Sequence, residues 1–293
     1  MRGKRTAWQK DRPRGGTCAS QSTHVHGKRT VPVAAKEINR MNNYMMTIEY
    51  DGSSYKGWQI LSNTDNTIQG KLSDVLSRLA GTQIDVIGSG RTDAGVHAKG
   101  QVANFHMNPP DNMDEDMILS YLNRYLPDDI AVTKIQKVDD RFHARFSARQ
   151  KTYLYRIHVN AIPNVFEKRY VYKYLDSELN LDLMREAAKK LVGTHDFMAF
   201  CSNKHMKKSS VRSIYDIRLE TVYKEDKLSE IDIYYTGNGF LQNMVRILTG
   251  TLIEIGRGDK SVDDIEAIIE SRCRENAGFT APAQGLMLME VQY

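Results

Sequence analysis

One carboxylate in this chain, Asp93, lies in a run whose composition suits chemistry: Gly88-Ser89-Gly90-Arg91-Thr92-Asp93-Ala94-Gly95-Val96-His97-Ala98-Lys99-Gly100-Gln101. Glycines at 88, 90 and 95, with Ser89 and Ala94, let the backbone turn sharply and let a ligand approach it closely. A carboxylate held among Arg91, His97 and Lys99 is expected to stay ionised, because neighbouring positive charge favours the charged form. Ionised and accessible, it can serve as a nucleophile, a base or an anchor for a cation. The alternative is a surface turn in which Asp93 bonds only its own backbone.

Three other stretches carry charge beside aromatic or apolar groups. Phe142-His143-Ala144-Arg145-Phe146-Ser147-Ala148-Arg149-Gln150-Lys151-Thr152-Tyr153 interleaves cations with rings, the mixture that phosphate neutralisation plus base stacking requires. A strand edge with a solvated charged face reads the same way. Lys204-His205-Met206-Lys207-Lys208, followed by Arg212, is a basic run without acids, suited to phosphates or simply to solvent. Gly239-Phe240-Leu241-Gln242-Asn243-Met244-Val245-Arg246 opens an apolar helix with Arg246 as its lone cation. An arginine half-buried there needs an anionic partner, and Asp93 is a candidate.

Familiar alternatives fail on spacing. Gly88-Ser89-Gly90 has two glycines of a dinucleotide fingerprint, but Asp93 stands where the third belongs and no helix opens there. The sequence holds no GxxxxGK[ST], GxSxG or HExxH, and its eight histidines are scattered. His195-Asp196 alone does not make a metal site.

The elements that must position these residues follow from periodicity. Met45 to Tyr50, Gln83 to Ile87, Gln101 to His106, Ile130 to Val138, Thr152 to Val159, Ser213 to Tyr223, Glu230 to Tyr235 and Leu286 to Val291 read as strands. Thr67 to Leu79 reads as a helix, with Ile68, Leu72, Val75, Leu76 and Leu79 on one face and Gly81 past its end. Glu115 to Leu126, Leu181 to Val192, Phe240 to Ile255 and Val262 to Glu270 are further helices, with Gly193 as a C-cap. Strands and helices interleave irregularly, so an α+β fold with antiparallel or mixed sheets is expected. A boundary near residues 145–150 divides the body into 44–148, which carries the Asp93 loop, and 149–293.

Composition narrows the partners. The 293 residues are 41% hydrophobic and 26% charged, ordinary for a globular protein, and no apolar run is long enough to span a bilayer. Cys18, Cys201 and Cys273 are far apart, which suits a reducing compartment such as the cytoplasm. Residues 1–40 carry ten Lys and Arg against Asp11 and Glu37, a net of +8, so the +5 of the whole chain leaves −3 for the remainder. Any RNA binding by the body must therefore use a local basic groove. Residues 1–43 read as a disordered basic extension without an apolar signal core, either an upstream extension or a nonspecific RNA-binding arm.

Arg91-Thr92-Asp93-Ala94-Gly95-Val96-His97-Ala98 resembles the signature of the tRNA pseudouridine synthase A family. The resemblance extends over about residues 44–293, in order: Ile48 to Gly52, Gly57-Trp58-Gln59, Thr67-Ile68-Gln69, Phe142 to Ala148, Tyr153-Leu154-Tyr155, Gly193 to Phe197, and Gly239 to Arg246. It departs at Ile60-Leu61 and at Val211-Arg212-Ser213-Ile214. It implies two α+β subdomains whose sheets join across a central RNA-binding cleft with helices outside. It implies an isomerase without metal or cofactor that converts uridine to pseudouridine in the tRNA anticodon stem-loop, acting as a cytoplasmic homodimer. It also implies Asp93 as nucleophile, Arg246 as the residue that pairs with and orients it, and Tyr153 as the ring that packs on the flipped uracil. Arg91 would face the RNA, with Lys99, Arg145 and Arg149 as weaker groove contacts. Two other classes remain: a noncatalytic RNA chaperone with the same groove, and a carboxylate hydrolase of nucleoside bonds. The hydrolase needs a second acid, for which Asp196 is the candidate.

Overall fold

In the computed structural model the described residues are 41–110, 113–203 and 209–293. The basic extension and the run Lys204 to Lys208 lie outside them. In chain order the elements are β1 (Asn42–Tyr50), α1 (Ile68–Ala80), β2 (Ile87–Gly88), β3 (His97–Met107), α2 (Glu115–Tyr125), β4 (Ile130–Val138), β5 (Gln150–His158), β6 (Tyr172–Lys173), α3 (Leu181–Leu191), β7 (Gly193–Asp196), β8 (Val211–Lys224), β9 (Lys227–Gly237), α4 (Met244–Gly256), α5 (Asp264–Ser271) and β10 (Leu286–Gln292). The expected α+β class holds.

The strands among the described residues form one mixed sheet in the order β4-β1-β3-β10-β5-β9-β8-β7, with β2 on β3 and β6 on β5. The neighbours are antiparallel except β10–β3 and β5–β6. β10, the last strand of the chain, lies between β3 of the first half and β5 of the second. Its bond to β3 is short, with Met287 opposite His97 and Leu288 opposite Ala98, whereas its pairing with β5 runs from Leu286–Tyr155 to Gln292–Gln150.

Alternation explains the first half of the core. Met46 and Ile48 of β1 and Phe105 of β3 are buried against Leu72 and Leu76 of α1 and Ile118 and Leu122 of α2. Thr67 caps α1 by accepting from Gly70 N at 3.2 Å, and Asp114 caps α2 by accepting from Met117 N at 2.9 Å. In the second half, Tyr155, Ile157, Ile231, Ile233 and Tyr235 are buried with Leu248 and Leu252 of α4. α4 is buried almost all round except at Arg246 and Glu254, as its otherwise largely apolar sequence requires.

Differences from expectation are local. β1 begins at Asn42, because Asn43 is buried and its amide donates to the carbonyls of Asp139 and Phe142 at 3.0 and 2.9 Å. The strand expected over Gln83 to Ile87 shrinks to Ile87–Gly88, since only those residues pair with β3. Gly193 opens β7 against Ile214 of β8 rather than simply closing α3. α4 starts at Met244, four residues later than Phe240, because Asn243 adopts φ +59° and breaks the helical path.

Candidate active site

The segment from Ser89 to Val96 leaves β2, crosses the top of β3 and returns into it, and hydrogen bonds from several elements hold it. Ser89 N donates to Val102 O at 2.7 Å, the Ser89 hydroxyl to Gln101 Oε1 at 2.7 Å, and Gln101 Nε2 to Gly90 O at 3.0 Å. Trp58 N donates to Thr92 O at 3.0 Å, and the Thr92 and Tyr50 hydroxyls lie 2.8 Å apart. The approach of the 57–58 turn requires glycine: Gly57 has φ +96°, and a Cβ there would stand 2.7 Å from Thr92 O. Val96 N donates to Asp93 O at 3.1 Å. The Asp93 backbone is thus fixed while its side chain stays partly open, at 33% exposure.

Among the described residues, Arg246 is the one cation within 4 Å of that carboxylate, with Nη1 3.7 Å from Asp93 Oδ2. Arg246 is 17% exposed and is itself held by Nε donating to Ala281 O at 2.6 Å and Nη1 donating to Asn243 Oδ1 at 2.8 Å. Asn243, whose left-handed backbone starts α4, also donates to the Ser202 hydroxyl at 2.9 Å. Burial pushes the Asp93 carboxyl above its ordinary value, and Arg246 works against that rise. Met244 and Val245, the positive end of α4, line with Asp93 a small pocket of about 60 Å³.

Tyr153 of β5 lines both this pocket and a larger groove of about 1130 Å³ that includes Asp93. Its ring meets Phe240 edge-on, 5.2 Å between centroids. Burial, then the charges of Tyr50 and Asp93, push its phenol well above the ordinary value, so it offers a face and an O–H donor rather than a base. Among the described residues, the groove draws Lys56, Arg91, Arg145, Lys151 and Arg212 to one surface with a single acid, Asp93. The rings of His143 and Phe146, 4.3 Å apart, lie on its wall, Phe146 71% exposed. A body of net negative charge therefore presents the local basic, aromatic-lined groove that RNA binding demands.

The structure brings Asp93, Tyr153, Arg91 and Arg145 to the groove wall, sets Arg246 within 4 Å of the Asp93 carboxylate, and leaves Lys99 and Arg149 exposed outside the lining residues. His97 does not sit beside Asp93 as a cation. It is buried, 3.1 Å from both Gly52 N and Asp51 Oδ1, and burial pushes its pKa down. The ion partner of Asp93 thus comes from α4 rather than from its own loop. Asp196, the second acid a hydrolase would use, instead pairs with Arg272 at 3.1 Å and caps Met198 N, away from the groove. Lys56, Trp58, Lys151 and Asn238 of the lining were given no individual role; Trp58 stood within the Gly57-Trp58-Gln59 motif, and Lys151 in the basic and aromatic run, two residues before Tyr153 and so on the same strand face.

Comparison with known proteins identifies the family. A family model described as tRNA pseudouridine synthase matches residues 46–147 and 187–293. The chain is 46% identical over 253 residues to a tRNA pseudouridine synthase A 2 of Bacillus cereus, covering 86% of this chain and all of that protein. It is 47% identical to tRNA pseudouridine synthase A of Bacillus sp. (strain KSM-64) and 46% identical to that of Acetivibrio thermocellus, each with the same coverage. With two segments of the family model matched and relatives covered along their full length, this chain belongs to the tRNA pseudouridine synthase family.

Proposed function

We propose that the protein isomerises uridine to pseudouridine in the anticodon stem-loop of tRNA, at positions 38–40, with Asp93 as the nucleophile. The observation that carries this reading is an accessible carboxylate, ion-paired with Arg246, as the one acid among the described residues of a groove lined by cations and rings. In the reaction the C1′–N1 bond breaks, a C1′–C5 bond forms, the C5 proton leaves and N1 gains one, so the product is an isomer. A uridine must leave its stack to reach Asp93, and the Tyr153 face suits packing on the flipped uracil. The ionised carboxylate forms the covalent bond to the substrate by attack at either the ribose or the uracil ring. Arg246 holds Asp93 charged and aimed, while Arg91 and Arg145 meet RNA phosphates, supported by Lys99 and Arg149.

Residues 44–148 and 149–293 serve as the two subdomains, the first reaching back to Asn42 where β1 begins, the residues before it serve as a basic extension, and the working form is a cytoplasmic homodimer whose second subunit extends the tRNA surface. Among the described residues no helix is long and apolar enough to cross a membrane.

The test is Asp93→Asn with a tRNA transcript. Tritium release from C5-labelled uridine is expected to fall at least about 10³-fold with RNA affinity retained. A normal rate would overturn the nucleophile assignment, and unchanged binding without any turnover in the native protein would favour a chaperone. Release of free uracil would favour the hydrolase.

A further inference from the structure

Among the described residues, Lys151 is the one groove cation from outside the Asp93 loop that bonds its backbone. It lies two residues before Tyr153 on β5, so the two side chains leave the strand on the same face. Its ammonium donates to the Ser89 carbonyl at 2.6 Å, a charge-assisted bond between the second half of the chain and the segment that leads to Asp93. The other groups at this turn are already taken by the first half, through Val102 and Gln101.

Gly90 explains how the ammonium gets in. A Cβ at Gly90 would stand 2.9 Å from Lys151 Nζ, and, chain neighbours aside, Lys151 is the only described residue with an atom within 4 Å of it. Gly90 has no positive φ to require glycine. The missing side chain therefore leaves room for one object, the Lys151 head. Among the described residues no carboxylate lies within 4 Å of that head, and burial with the nearby Arg145 charge pushes its pKa down to about 8. A cation kept at such a cost, without an acid partner, is held for what its hydrogen bond does.

We infer that Lys151 is a positioning residue of the isomerisation: through the Ser89 carbonyl it locks the Asp93 loop to the strand that carries Tyr153, and Gly90 is bare to admit it. The inference rests on the reading of Asp93 as the nucleophile and Tyr153 as the ring that packs on the uracil. Displacements near 1 Å between catalytic groups cost about 10²-fold in rate, so the clamp acts on turnover rather than on RNA binding.

The experiment compares Lys151→Met, Lys151→Arg, Gly90→Ala and the Gly90→Ala/Lys151→Met double variant in single-turnover tritium release from C5-labelled tRNA, with RNA affinity measured alongside. Lys151→Met is expected to lower the rate constant about 10- to 100-fold with affinity changed less than about 3-fold. Lys151→Arg recovers part of the loss, since its guanidinium also donates to a carbonyl. Gly90→Ala reproduces the loss alone and adds nothing to Lys151→Met, because both act on one bond. Should Lys151→Met fail to fold, Gly90→Ala carries the test, since it disturbs only the ammonium. Losses that multiply in the double variant would overturn the inference, as would a Lys151→Met defect confined to RNA affinity. A fully active Asp93→Asn would instead overturn the site reading beneath it, so the two failures are told apart.

Discussion

At Asp93 two opposed effects meet. Burial disfavours the carboxylate, and Arg246, 3.7 Å away, favours it. The net rise means the nucleophile gains its charge at higher pH than a solvated aspartate, so turnover should climb with pH as Asp93 ionises and level off above its pKa. Arg246→Ala removes the influence that lowers that pKa, so the acid limb of the kcat–pH profile should move to higher pH. The plateau should fall on the order of 10²-fold, as when one charge-stabilising donor is lost from an active site. Because Arg246 is bound to Asp93, Ala281 and Asn243, RNA affinity should change little. An unshifted acid limb, or a loss of affinity equal to the loss of rate, would show that Arg246 serves the RNA instead.

The pairing of β5 with β9 places Arg156 opposite Asp232. Arg156 also binds the buried Glu230 at 2.7 Å, leaving Asp232 at 3.7 Å with one oxygen buried and unbonded. Burial, then the charges of Glu230, Glu220 and Glu167, push the Asp232 pKa up to about 6 despite Arg156. An unfolded chain releases this proton near 3.8, so between about pH 4 and 6 the folded state binds it more tightly and stability falls as pH rises. Asp232→Asn cannot ionise. It should match the native protein near pH 4 and exceed it by on the order of 2 kcal/mol at pH 7 in urea unfolding. A difference that does not vary with pH would mean that Asp232 is ionised throughout.

For the molecule as a whole, the distribution of charge matters more than its sum. The residues after the extension are net negative, yet among the described residues the groove gathers five cations around one acid. Affinity for tRNA should therefore fall steeply with salt, and Arg91→Ala or Arg145→Ala should each reduce the slope of log K against log salt by about one. Unchanged slopes would place the phosphate contacts elsewhere. The groove exists because β10 joins the halves: its pairing with β5 is long and that with β3 short, so the last strand seats the Tyr153 face beside the Asp93 loop.

Much of this was legible locally. Glycine spacing marked the Asp93 loop, alternation marked Tyr153 and its strand, and the apolar face of Ile68, Leu72, Val75 and Leu76 marked α1, because turn chemistry and side-chain period act over a few residues. The order of motifs from Ile48 to Arg246 pointed to the family. What only the tertiary structure decided was which cation meets which oxygen. His97 lies against Asp51 and Gly52, which leaves the Arg246 that the motifs implied as the ion partner of Asp93, Lys151 enters the space left by Gly90, and Lys99 stands outside the groove lining although it follows Asp93 by six residues. Strand order and register set these contacts, and they arise from burial summed over the whole sheet. No window of neighbouring residues contains that sum.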